Sequence, residues 1–176
     1  THSDSSAASD VYKRQDPNVN FIIQNRSKEK KFINQLGIKT VDYKNIKSNK
    51  DLENIEKLVP GILKTTTLGY DGKGQYIISN AKDFENIDFK NEYILEKKIN
   101  LQMELSVIIT RYQNGNSVVY EPIENIHKDQ ILDTSKIPSN IDQKIANQSK
   151  NNAINLANEL NYVGTMCVEY FIDEKN

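Results

Sequence analysis

The chain has 176 residues, a net charge of −1 from 23 Lys and Arg against 24 Asp and Glu, and a single cysteine. That length suffices for one ordinary domain or for two small subdomains sharing a core. The balanced charge argues against nucleic-acid binding as the main task, and one cysteine excludes an internal disulfide framework and fits a reducing compartment.

Thr1 to Gln15, THSDSSAASDVYKRQ, is small, polar and Ser/Ala-rich, unlike the Ile-, Lys- and Asn-rich remainder. It is expected to be a disordered or foreign tail, leaving the fold to start at residue 16, and it lacks the apolar centre of a secretion signal. No stretch reaches the roughly 18 apolar residues of a membrane helix. A soluble, cytoplasmic protein with neither membrane nor nucleic acid as partner is expected. After a short apolar piece, Asn20 to Ile23, Asn25 or Ser27 can cap a helix to about Leu36 with Gly37 as its stop. Arg26, Lys28, Lys30 and Lys31 read as a solvated basic face. Ile38 to Ile46 reads as extended. Asn49 or Asp51 starts a second predicted helix to Leu58, with Leu52, Ile55 and Leu58 inward and Pro60 ending it.

Gly61 to Gln75, GILKTTTLGYDGKGQ, predicts strand, glycine loop and strand, the second strand ending at Ile78. Asn80 to Asn86 reads as a short capped helix and Tyr93 to Glu96 as a strand. Glu104 opens a β run to Tyr112, and Gln113 to Asn116 forms a turn into a return strand, Ser117 to Tyr120. Glu121 to Lys128 reads as polar and irregular, and Ile131 to Pro138 as a loop. Ser139 or Asn140 caps a long helix to Leu160, its apolar side formed by Ile141, Ile145, Ile154, Leu156 and Leu160. Thr165 to Ile172 is the last strand, and Asp173 to Lys175 would suit a hairpin turn whose second strand does not follow. The order predicts an α+β fold with mostly antiparallel strands.

Two readings fit the glycine loop. Glycines let backbone N–H groups approach an anion, with Lys64 on the preceding strand neutralising phosphate oxygens; otherwise it is an ordinary hairpin with a Gly-rich turn. On the last strand, alternation sends Val168 and Tyr170 one way and Cys167, Glu169 and Phe171 the other. Glu169 on an apolar face needs a metal, a lysine or a hydrogen-bonded network; a satisfied salt bridge or an edge strand also fits. Magnesium prefers carboxylates together with substrate phosphates, so a Mg·ATP site would use both Glu169 and Lys64. Cys167 reads as core filler and His127 as a surface residue. No His or Cys spacing suits a metal, and no nucleophile triad, Walker-type loop or helix-opening G-x-G-x-x-G is present.

Lys64 followed by GYDGKGQ (Gly69 to Gln75), EKKI (Glu96 to Ile99), ELS (Glu104 to Ser106), YEPIENIH (Tyr120 to His127), Ile131–Leu132 and YVGTMCVEYF (Tyr162 to Phe171) resembles, in that order, the ATP-grasp enzymes. The wording is that of the N5-carboxyaminoimidazole ribonucleotide synthase family of purine biosynthesis. The resemblance spans residues 17 to 173. It implies an ATP-grasp fold of two α+β subdomains gripping ATP, residues 16–96 and 97–176, the second incomplete at its C-terminal end. It implies ATP- and bicarbonate-dependent carboxylation of 5-aminoimidazole ribonucleotide through carboxyphosphate, with ATP and Mg2+ required and a homodimer for the full-length protein. By the same resemblance Arg26, Lys64 and the loop Gly69, Tyr70, Asp71, Gly72, Lys73, Gly74 and Gln75 contact ATP. Glu96, Lys97, Lys98 and Ile99 form the hinge that reads adenine. Glu104 binds the ribose, His127 lies in the nucleotide site, and Glu169 binds magnesium. Tyr70, Asp71 and Lys73 face the acceptor, making the loop a two-sided lid.

Two departures stand out. Thr66 and Thr67 replace a basic pair of the family, and the strand carrying its second magnesium carboxylate is not in the chain, nor are its flanking domains. An inactive fragment is therefore expected. The alternatives are an ATP-grasp ligase with another acceptor and a non-catalytic ATP-binding module.

Overall fold

A computed structural model describes residues 16–68, 74–129 and 131–174. The chain divides into two compact units, each with its own core, and carries two sheets. The Lys64 unit comprises Ile22–Met103, Ile126–Thr134 and the described residues from Phe171 onward. The Glu104 unit comprises Glu104–Asn125, Ser135–Tyr170 and the described residues up to Phe21.

The short apolar piece at Asn20 closes a helix, α1 (Pro17–Ile23). Its first residue is proline, and the Asp16 carboxylate accepts from the Asn18 N–H at 2.8 Å, the chemistry a helix start favours. Helix α2 (Arg26–Gln35) follows, capped by Asn25, whose side chain accepts from the N–H groups of Ser27 and Lys28. Gly37 takes a φ of +74° just past its end, as the sequence predicts.

The sheet of the Lys64 unit is antiparallel, in the order β1 (Tyr43–Ile46), β4 (Tyr93–Lys97), β2 (Gly61–Thr65), β3 (Gln75–Ile78). The predicted strand–loop–strand is thus a hairpin, with Lys64 opposite Gln75. One face packs Leu63, Ile78, Tyr93 and Leu95 with Ile46, Ile55, Leu58 and Phe84. The predicted second helix is shorter than expected: a 3-10 turn spans Asn49–Leu52, and Asn54 then adopts a φ of +58° that ends it. Ile55 and Leu58 are buried nonetheless. Ala81–Asn86 is also 3-10, with a reciprocal cap between Asn80 and Asp83.

In the second sheet β5 (Leu101–Arg111) is the central strand. It pairs antiparallel with β6 (Ser117–Val119) and β7 (Ile123–Lys128), and also pairs with β9 (Gly164–Asp173); β8 (Ile131–Lys136) lies beyond β7. Strands β7 and β8 correct the expectation of irregular chain over 121–128 and 131–138. Helix α3 (Gln143–Glu159), capped by Asp142, buries Ala146, Ser149, Ala153, Leu156 and Ala157. Ala153 and Ala157 meet Val107 and Ile109 of β5, with Met166, Val168 and Tyr170 of β9 alongside. Tyr170 donates to the Ser149 carbonyl at 2.9 Å, and burial pushes its phenol well above the usual range.

Candidate functional site

The two-residue repeat of β4 explains the charged centre of the Lys64 unit. Tyr93 and Leu95 enter the core, so Ile94 and Glu96 take the opposite face. Glu96 is only 8% exposed. Tyr43 of β1 and Ile62 of β2 stand opposite it. Lys64, two residues beyond Ile62, shares that face and is within diagonal reach. Its ammonium lies 2.8 Å from Glu96 Oε2, while Lys30 of α2 lies 3.3 Å from Oε1. The Lys30 ammonium also sits 5.8 Å from the Tyr43 ring centroid. A carboxylate this deep must be compensated, and here each oxygen has its own cation. Two lysines on one glutamate leave a local excess of one positive charge, which favours an anion.

Beside this cluster the two feet of the glycine loop are fixed. The Thr65 N–H donates to the Gly74 carbonyl at 3.2 Å. Gly74 has a φ of +75°, and a Cβ there would stand 3.2 Å from Thr65 Oγ1, so both conformation and space call for glycine. Arg26 Nη1 donates to the carbonyls of Thr65 and Leu68, at 2.8 and 2.7 Å, and the Arg26 N–H donates to the Thr66 carbonyl at 2.8 Å. Arg26 therefore braces the loop's entry and is not part of a solvated basic face. Thr66 is buried, and its N–H donates to the Glu92 carbonyl. A basic side chain at that buried position would have to be desolvated, a physical reason for the departure from the resembled pattern. Gly69, Tyr70, Asp71, Gly72 and Lys73 lie outside the described residues.

Gln75 is exposed at the head of β3. The chain leaves the sheet after Lys97: the N–H groups of Lys97 and Lys98 donate to the carbonyls of Asp42 and Pro60, both lysines are exposed, and Ile99 is half-buried. Arg26, Lys64, Gly74, Gln75, Glu96, Lys97, Lys98 and Ile99 thus fall together in one unit.

Glu104 and Glu169 fall in the other unit, on a common sheet face. Glu104 stands opposite Asn125. The Asn125 amide donates to Ser106 Oγ at 2.5 Å and accepts from Ser135 Oγ at 2.9 Å. Alternation puts Glu104, Ser106 and Thr110 on one face of β5, and Thr165, Cys167, Glu169 and Phe171 on one face of β9. Thr110 and Thr165 hydroxyls meet at 2.8 Å, so the two sets share a face. It is the face turned away from α3, and it corrects two expectations. Cys167 is exposed, not core filler, and Glu169 is exposed beside it. The parity of the strand was legible, but its buried side is the Met166, Val168 and Tyr170 side. His127, two residues after Asn125 on β7, is exposed. Among the described residues no three His, Cys, Asp or Glu cluster as a metal cage, and no helix is long and apolar enough to cross a membrane.

Sequence reasoning missed Lys30, Tyr43 and Asn125. The signal for Lys30 is its spacing: four residues after Arg26, it lies on the same helix face.

A family model for the ATP-grasp domain matches residues 31–176. The chain is 37% identical over 169 residues to N5-carboxyaminoimidazole ribonucleotide synthase of Bacillus subtilis (strain 168), covering 93% of this chain and 44% of that protein. It is 38% identical over 161 residues to the Staphylococcus aureus (strain MRSA252) protein of the same name, covering 88% and 42%. A crystal structure of the Staphylococcus aureus N5-carboxyaminoimidazole synthetase complexed with ADP superposes with a TM-score of 0.83 at 33% identity, covering 92% of this chain and 44% of that one. The chain thus spans less than half the length of these relatives. Hairpin, braced glycine loop and matched family model agree: the chain belongs to the ATP-grasp family.

Proposed function

We propose that the protein carrying this chain uses ATP and bicarbonate to carboxylate the exocyclic amine of 5-aminoimidazole ribonucleotide, in de novo purine biosynthesis in the cytoplasm. The observation that carries this reading is Lys64 paired with nearly buried Glu96 on the strand that leads into GYDGKGQ, one residue before the foot that Arg26 braces. Motif order and the named relatives supply the acceptor.

In this reading Lys64, Arg26 and the loop backbone hold the phosphates. The segment after Glu96, through Lys97, Lys98 and Ile99, meets the adenine with main-chain groups. Glu104 takes the ribose hydroxyls on its polar sheet face, and His127 completes the nucleotide site. Tyr70, Asp71 and Lys73 face the acceptor. Glu169 fits magnesium as one carboxylate ligand, because that ion is held by one or two carboxylates plus phosphate oxygens and water, not by a protein cage. The ion would neutralise phosphate charge.

A bicarbonate oxygen attacks the γ-phosphorus, the bond to the β-phosphate oxygen breaks, and ADP leaves with carboxyphosphate formed. The amine then bonds to the carboxyl carbon, either directly or after carbon dioxide is released; inorganic phosphate departs with the C–O electron pair and can take up the proton the amine loses. The cationic cluster stabilises charge on the transferring group. A glycine loop anchored at both feet can close over the phosphates and keep water from the labile anhydride.

The test is ADP release by the protein carrying this chain. Release should require both aminoimidazole ribonucleotide and bicarbonate, and Lys64→Met should lower it about 100-fold or more. Release that proceeds without the ribonucleotide, or with a different acceptor, would move the assignment to another ATP-grasp ligase.

A further inference from the structure

We propose that Lys30 is a positioning residue that keeps Glu96 neutralised while Lys64 turns to the phosphates of a bound nucleotide. The inference rests on the nucleotide-site reading above and adds a residue that reading leaves out.

Three observations carry it. The two lysines hold different oxygens of Glu96, Lys64 at Oε2 and Lys30 at Oε1, so either can leave without displacing the other. The Glu96 side chain is only 10% exposed, so water cannot take over from a departing ammonium. Lys30 projects from the capped helix α2 and rests near the Tyr43 ring, directly across from Glu96 on the neighbouring strand. Lys64, in contrast, adjoins Thr65, the foot of the glycine loop.

The electrostatics then set an order of events. If Glu96 had only Lys64, drawing that ammonium toward phosphates would leave a bare, desolvated carboxylate close to incoming anions. The ion pair would compete with the nucleotide for the same cation. With Lys30 on the second oxygen, Glu96 stays paired and Lys64 becomes available. Lys30 acts on phosphate affinity through Glu96, without touching the nucleotide.

The experiment is calorimetric titration of the chain with ATP and with adenosine, for wild type, Lys30→Met, Glu96→Gln and the double variant. Lys30→Met should weaken ATP binding about tenfold or more and leave adenosine binding near wild type. Adding Glu96→Gln removes the charge that needs compensation. The double variant should therefore bind ATP within about threefold of Glu96→Gln alone. That rescue distinguishes the proposal from direct contact, since a Lys30 that touched phosphate would be missed whether or not Glu96 is charged. The double variant carries no uncompensated carboxylate, so the comparison survives if Lys30→Met alone does not fold. Lys30→Met binding ATP as wild type does, or a double variant that stays tenfold weaker than Glu96→Gln, overturns the role of Lys30 while leaving the nucleotide site standing. A wild-type chain that binds neither ligand overturns the nucleotide-site reading and this proposal with it.

Discussion

Glu96 owes its place to an absent side chain as much as to its two lysines. Gly61 lies opposite Lys97 in the sheet, and a Cβ on it would stand 2.5 Å from the Leu58 carbonyl oxygen and 2.8 Å from that of Glu96. Both neighbours are backbone, so neither can swing aside like the end of a flexible side chain. Gly61→Ala must separate β2 from β4 at the point where the chain leaves the sheet. The expected loss is about 1–3 kcal/mol, the range for overpacking, read as a lower urea midpoint with the slope unchanged. Because the shift falls on Glu96 itself, ATP affinity should drop as well. A variant as stable as wild type would show that the strands part there without strain.

At the scale of elements, what was legible depended on which signal each segment carried. The β2–β3 hairpin and α2 announce themselves through an apolar run, glycines and an Asn cap, and they form as predicted. Leu52, Ile55 and Leu58 recur every three residues and Ile55 and Leu58 are buried as a helix face would bury them, but only Asn49–Leu52 is helical, as a 3-10 turn, and Asn54 in the left-handed region carries the chain on without a helix. Strand β7 reads Ile-Glu-Asn-Ile-His-Lys, with no side that is wholly apolar, and β8 is exposed along its whole length. Neither carries the alternation by which a half-buried strand is found. The ion pair of Lys30 with Glu96 joins a helix to a strand far along the chain, so the spacing that puts Lys30 on the Arg26 face does not reveal its partner. Helix α3 hides its core differently: its most buried positions are small, with Ala153 and Ala157 fully covered where large aliphatics were expected. Small residues let the helix lie close to β5 and β9. Ala153→Leu should therefore destabilise by about 1–3 kcal/mol despite its better hydrophobicity, whereas Asn151→Leu, at an exposed position of the same helix, should fall within about 0.5 kcal/mol. Equal thermal midpoints for the two variants would contradict the close packing.

For the whole molecule, a net charge of −1 hides a local excess of the opposite sign. Lys30 and Lys64 pair with the carboxylate of Glu96, and Arg26 braces the entry to the glycine loop next to Lys64. Average charge says nothing about a compact polyanion, which needs only a few well-placed cations. A ligand that binds the folded state alone stabilises it by mass action, about 2.7 kcal/mol at a hundred times its dissociation constant. For a chain of this size that corresponds to a rise in Tm of about 5–10 °C. ATP at such an excess should produce that rise. Adenosine at the same concentration should give much less if the cluster binds phosphate, because it lacks the phosphate charges. The difference should also shrink as salt is raised, since the lysine side chains remain partly exposed and are screened. Equal shifts from ATP and adenosine, or an ATP shift indifferent to salt, would mean that these cations serve only to hold Glu96 in place and do not bind phosphate.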